Sequence, residues 1–243
     1  MRLTRVHVDV ELQTGRRLTV DGSAGNHISR VLRLRVGDAL TLFNGQGGEY
    51  AGSIDEIRRD TVVVSILERR DVDRESPCQL TLAQGISRGE RMDWVVQKAT
   101  ELGVWQIAPI FTERSIVQLD EKQASRKLQH WRSIAIAACE QSGRNHVPQI
   151  TQPVGLYELL EKRTSSGTAL LLSPGAPLRI ADLASTGTQI TVLIGPEGGL
   201  ADVEQQAAVK AGFTPVRLGP RVLRTETAAV CALTLLQQKF GDI

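Results

Sequence analysis

The chain has 243 residues, 41% of them hydrophobic and 23% charged, with a formal net charge of +2. That length and composition allow one large or two modest globular domains and exclude a disordered or low-complexity chain. There is no apolar run long enough to span a membrane and no apolar signal core near the N-terminus, and the three scattered cysteines have neither zinc spacing nor an even count, so the expectation is a cytoplasmic protein with buried free thiols and no metal.

Residues 1–73 read as a small β domain. Short strands are expected at 18–20, 39–43, 50–57 and 61–67, with Asn44-Gly45 as a turn signal and a helical turn or two over 26–34. The run Val62-Val63-Val64 is β-branched and suits a pleated surface. A small barrel or sandwich accounts for this pattern. The polar stretch 71–77, ending in Pro77, reads as a linker into a second domain, 74–243.

From residue 78 strands and helices alternate. A strand at 80–84 precedes a helix carrying Met92, Val95, Val96 and Ala99 at helical spacing. A strand at 106–111 precedes a long helix, 121–141, with Trp131, Ala135 and Ala138 on its apolar face and Gly143 closing it. Strands follow at 169–172, 190–194 and 216–218, with helices at 202–211 and 226–240, the last capped by Thr225. This alternation predicts an α/β domain with a mostly parallel sheet.

Two of those strands end in glycine-containing breaks, Gly195-Pro196-Glu197-Gly198-Gly199 and Gly219-Pro220, each leading to a helix. Strand ends feeding such loops are where open α/β sheets bind ligands. The first break is neither GxGxxG nor a P-loop, so a dinucleotide or ATP is poorly supported. Glu197 either orients a ligand or caps the next helix. Glu226 complements a helix dipole, whereas Arg224, a cation at a helix N-terminus, is expected to face a ligand, a phosphate or a partner chain.

Three basic segments stand out: the stretch with Arg30 and Arg33, three apart on one face if helical; Arg88-Gly89-Glu90-Arg91; and the stretch from Glu140 to His146 around Arg144. Singly each is an ordinary solvated face, but together they favour phosphate contacts. His27, His130 and His146 form no triad or metal set, and no serine sits in a nucleophile elbow.

The segments NHISRVLRLRVGD, SRGERMDWVVQKATELGV, ACEQSGRNHVPQI, LIGPEGGL and LGPRVLRTETAA occur in that order along the chain. Together they resemble the RsmE family, the bacterial 16S rRNA (uracil-N3)-methyltransferases of the SPOUT superfamily, over essentially the whole chain. The resemblance implies an N-terminal PUA-like RNA-binding β-barrel and a C-terminal SPOUT domain with a trefoil knot. It implies S-adenosyl-L-methionine as cofactor, a homodimer, no membrane, and 16S rRNA of the small ribosomal subunit as substrate. Carried onto this sequence, Leu171, Leu172, Ile194, Leu218 and Leu223 would pack on adenine, with Gly195, Pro196, Glu197, Gly199 and Gly219 completing the cofactor site. His27, Arg30, Arg33 and Arg88 would contact RNA.

Methylation of uracil N3 requires loss of its proton, either to a general base or with donors stabilising the anion at O2 and O4. Arg144 and Arg224 are the expected uracil or phosphate ligands, with Glu140 as a candidate base and water as an alternative. Another SPOUT methyltransferase acting on tRNA or a ribose 2′-hydroxyl, and a non-catalytic RNA-binding protein, stay open as other readings.

Overall fold

A computed structural model of the chain describes residues 4–59, 61–115, 119–163, 167–184 and 187–243. The chain divides into two compact units: Met1–Glu75 with Cys139–Val147, and Ser76–Ala138 with Pro148–Ile243.

The first unit contains β1 (Thr4–His7), β2 (Arg17–Val20), α1 (Gly22–Asn26), a π-type helical turn at His27–Val31, β3 (Ala39–Phe43), β4 (Glu49–Ile57) and β5 (Val62–Arg70). They form one sheet in the order β1-β3-β4-β5-β2, with β1 parallel to β3 and the other pairs antiparallel. Alternation sets the core: Val62, Val64 and Ile66 of β5 point inward against Leu40, Leu42, Ile54 and Ile28. The helical expectation over 26–34 holds only to Val31. Arg33 has φ +53°, outside any helix, so Arg30 and Arg33 do not share a helical face.

The segment after residue 138 returns to this unit, which its polar composition did not suggest. Arg5 donates to Arg144 C=O (3.1 Å) and Asn145 Oδ1 (2.6 Å), and Arg74 donates to Gly143 C=O (3.0 Å). Asn145 Nδ2 donates to Val72 C=O at 2.7 Å. Gly143 has φ +89° and its N–H donates to Cys139 C=O, ending the helix in the left-handed region that glycine tolerates. Burial pushes the Cys139 thiol up to about 12, which leaves it an inert packing group. Cys78 is buried too, while Cys231 is only half-buried.

The second unit contains β6 (Gln79–Gly85), α2 (Glu90–Glu101), β7 (Gln106–Phe111), most of α3 (Glu121–Ser142), β8 (Gln149–Ile150), β9 (Val154–Gly155), α4 (Leu156–Lys162), β10 (Thr168–Leu172), β11 (Leu178–Arg179), β12 (Gln189–Ile194), α5 (Asp202–Lys210), β13 (Thr214–Arg217) and α6 (Thr225–Phe240). The sheet runs β11-β13-β10-β12-β6-β7-β8, with β9 also on β7, and every pair is parallel. Helices cover a parallel sheet, so its central strands are apolar on both faces. Leu80 and Leu82 of β6, Leu170 and Leu171 of β10, and Val192 and Leu193 of β12 are all fully buried or nearly so. Among the described residues no helix is long and apolar enough to cross a membrane.

Candidate functional site

The neighbours β13, β10 and β12 all point their carboxyl ends the same way, and a cavity of about 640 Å³ opens there. That is the end at which open parallel sheets take ligands, and the volume lies within the range of small-molecule sites. Leu172 ends β10, Ile194 ends β12, and the segment after β13 adds Leu218, Val222 and Leu223 to the apolar lining.

Glycines are required here by contact as well as conformation. A Cβ at Gly85, the last residue of β6, would lie 2.4 Å from Pro196 N and 2.6 Å from its Cδ. A Cβ at Gly195 would lie 2.9 Å from the backbone of Gly199, which itself has φ +68°. The Gly199 N–H donates to Pro196 C=O at 2.9 Å, so this amide shapes the turn rather than serving a ligand. Gly219 is different: it lines the cavity, and a Cβ there would meet no protein atom within 4 Å.

The two glycine loops are joined by one hydroxyl. Thr225 Oγ1 donates to Gly195 C=O at 2.7 Å and accepts from Gln84 Nε2 at 2.9 Å, all within the buried base of the site. Thr225 was expected to cap α6 with this side chain. Instead Arg224 occupies the cap position without a side-chain cap, and Thr225 is the first helical residue.

Charge surrounds the apolar walls. Glu197 Oε1 accepts from the Arg88 N–H (2.9 Å) and from Arg91 Nη1 (2.8 Å). Burial pushes the Glu197 carboxyl up, but these bonds and the Arg91 charge bring it below its ordinary value. Glu197 therefore does not cap α5. That task falls to the buried Glu204, which accepts from Ala201 N–H (2.9 Å) and Glu113 N–H (2.8 Å). Arg114 Nη1 donates to Gly198 C=O at 3.1 Å, and Arg91 Nε lies 4.0 Å from Glu226 Oε1. Glu226 Oε2 is buried with no hydrogen-bond partner.

Of the expected cofactor residues, Leu172, Ile194, Gly195, Pro196, Glu197, Gly199, Leu218, Gly219 and Leu223 all line the cavity. Leu171 does not: it is 1% exposed and packs into the core with Ala169 and Leu193. Among the three expected catalytic residues only Arg224 lines the cavity. Arg144 lies in the first unit, 4% exposed, with Nε 3.0 Å from Glu75 Oε1 and Nη2 also on that carboxylate. The guanidinium is thus committed to an ion pair inside the first unit and is not among the residues that line the cavity. Glu140 is likewise engaged in the first unit, accepting from the His7 N–H at 3.0 Å. Exposed Arg30 and Arg33 and half-buried His27 belong to the first unit, and exposed Arg88 to the second. Sequence reasoning missed Arg91, Arg114, Arg217 and Arg221 as cavity residues. Arg91 had a signal, since it shares the segment that bears Arg88.

Residues 74–237 match the family described as RNA methyltransferase domain, and residues 20–67 match the RNA methyltransferase PUA domain. The chain is 36% identical to the ribosomal RNA small subunit methyltransferase E of Buchnera aphidicola (Schizaphis graminum), covering 100% of this chain and 98% of that one. This chain belongs to the ribosomal RNA small subunit methyltransferase E family. Among solved structures of the family, that from Neisseria gonorrhoeae, bound to S-adenosyl methionine, matches with TM-score 0.93 and 37% identity over 100% of both chains. A Legionella pneumophila structure in complex with bound SAM matches with TM-score 0.97 and 42% identity, again over 100% of both. The PUA match, 20–67, falls within the first unit, and the methyltransferase match, 74–237, takes in most of the second together with Cys139–Val147 of the first.

Proposed function

We propose that this chain transfers a methyl group from S-adenosyl-L-methionine to N3 of one uridine in 16S rRNA of the small ribosomal subunit. It is a methyltransferase of the family E enzymes, and the cavity at the carboxyl ends of β10, β12 and β13 is its cofactor site. The observation that carries this reading is the match between that cavity and the cofactor's chemistry. Leu172, Ile194, Leu218 and Leu223 offer an apolar slot for a purine. Open space beside Gly219 lets the ligand approach the backbone, and the arginines of the lining suit a carboxylate. The cofactor, when bound, supplies an electrophilic methyl on a sulfonium. The protein's part is to hold the uracil edge in line with it and to exclude water, which is worth up to ~7–11 kcal/mol in favourable systems.

Arg224, exposed at the cavity and at the cap position of α6, holds the uracil or its phosphate in this reading. His27, Arg30, Arg33 and Arg88 provide contacts to the RNA. The polypeptide closes the trefoil knot of the SPOUT fold. Supporting that closure, β13 comes last in sequence yet lies between β11 and β10, and the segment that follows it is fastened to β6 through Thr225 and Gln84. The working form is a cytoplasmic homodimer.

The test is methylation of small subunits purified from a strain lacking the activity, with the product nucleoside identified and mapped. A single 3-methyluridine in 16S rRNA is the expected product. A ribose-methylated product, or no S-adenosylmethionine binding by calorimetry, would replace this reading with a ribose methyltransferase or a silent RNA-binding protein.

A further inference from the structure

We propose that Arg91 and Glu226 together read the Watson–Crick edge of the target uracil, and that Glu226 takes the proton leaving N3. This rests on the reading that uridine N3 is the methylated atom. On that edge a carbonyl acceptor sits beside the N3–H donor. A complementary protein surface needs a donor beside an acceptor, and for methylation the acceptor must also be a base.

Two carboxylates line the cavity among the described residues, Glu197 and Glu226. Glu197 is engaged by the Arg88 N–H and by Arg91 Nη1. Glu226 is not comparably satisfied. Its side chain is 15% exposed, its Oε1 stands 4.0 Å from Arg91 Nε, and its Oε2 is buried without a partner. A buried carboxylate oxygen without a donor carries a desolvation penalty, and in a native structure it marks a place where a ligand, a water or chemistry supplies what is missing. A separation of 4.0 Å is beyond a hydrogen bond, so the two groups leave each other's bonding capacity open to a third.

Glu197 contributes by position: its grip on Arg91 Nη1 fixes the guanidinium beside Glu226. Arg91 then donates to a uracil carbonyl oxygen and stabilises negative charge building there as the proton departs. The N3–H bond breaks with its electron pair left on nitrogen, and the proton bonds to a Glu226 oxygen. The N3 pair then forms the bond to the methyl carbon as that carbon's bond to the cofactor's sulfonium sulfur breaks, its electron pair staying on sulfur to leave a neutral thioether. The other charged groups lining the cavity around this pair are Arg114, Arg217, Arg221 and Arg224, besides Glu197. This cationic setting favours a uracil anion.

The discriminating variant is Glu226→Gln in the full-length protein, which keeps size and a hydrogen-bond acceptor and removes the base. Single-turnover methylation of small subunits across pH, and S-adenosylmethionine affinity by calorimetry, are measured together. The rate is expected to fall about 10²–10⁴-fold near neutrality and to climb steadily with pH as solvent takes over, with cofactor affinity unchanged. Glu226→Asp should retain part of the rate and the native pH profile. An unchanged rate and profile in Glu226→Gln would overturn the proposal. So would loss of cofactor affinity in both variants, which would assign the carboxylate to the cofactor's ammonium or to folding. If the native protein's product is not 3-methyluridine, the proposed reaction fails independently of these variants.

Discussion

Arg144 and Glu75, 69 residues apart in sequence, form a buried ion pair through Nε and Nη2 of the guanidinium. The pair fastens the segment after α3 to the rest of the first unit. Removing one partner of such a pair leaves an uncompensated buried charge, at a cost of about 3–5 kcal/mol. Arg144→Ala should therefore lower the denaturant midpoint strongly, and Arg144→Lys, which keeps charge but not the planar fork, should fall between. Full stability with lost turnover in Arg144→Ala would instead return this residue to the uracil.

Two glycine variants separate architecture from ligand space. Gly85→Ala drives a methyl into the Pro196 backbone, so it should cost about 1–3 kcal/mol or more and weaken cofactor binding as the loop shifts. Gly219→Ala meets no protein atom, so it should leave the melting temperature unchanged and still weaken the cofactor. Calorimetric titration beside thermal denaturation reads both. Equal behaviour of the two variants would contradict the assignment of Gly219 to the ligand.

Arg33 offers an unusually clean charge deletion, because its φ of +53° disfavours any side chain by about 1–2 kcal/mol. Arg33→Gly should lose no stability, yet weaken RNA binding and reduce the salt slope by about 0.7–0.9 if one phosphate contact is lost. Arg30→Ala should act alike on RNA. Cofactor affinity should not move in either, and a binding isotherm series in increasing salt decides it.

Much of this architecture could be read from the sequence. Strands 39–43 and 106–111 were delimited correctly because an apolar run between turn signals is a local property. The helix at α2 followed from the spacing of Met92, Val95, Val96 and Ala99. The strands β8, β9 and β11 were not legible, since two-residue strands exist only through their neighbours. Nor was β1 expected, its pairing being to β3, more than thirty residues on. The site divides the same way. The glycine loops announced themselves, but the roles of the charges depended on long-range pairing. The Glu75 partner of Arg144 lies 69 residues away, and Glu226 does stand in the first turn of α6 as expected, while its unpartnered oxygen shows only in three dimensions.

Glu140 makes stability depend on pH in a defined direction. Its carboxyl is raised above 4.5, chiefly because burial penalises the charged form, with the His7 N–H, His27 and Arg5 pulling the other way. The group supports folding fully below 4.5, and that support is lost as pH rises through its folded value. Glu140→Gln stays neutral throughout, so its stability relative to the native protein should grow from acid toward neutral pH. Chemical denaturation at several pH values measures this, and a constant difference would show that the carboxyl titrates normally in the fold.

The Gln84–Thr225–Gly195 junction joins positions 141 residues apart, and one of them opens the final helix. The cavity at the carboxyl ends of β10, β12 and β13 thus has no early version. While the polypeptide is being synthesised, the Gln84 amide of β6 meets its hydroxyl only after 141 further residues. Any chain stopped before α6 carries both glycine loops and still has no floor to the cavity. The cavity is in this sense a report on α6: a chain without that helix keeps both glycine loops and loses the hydroxyl that joins Gly195 to Gln84.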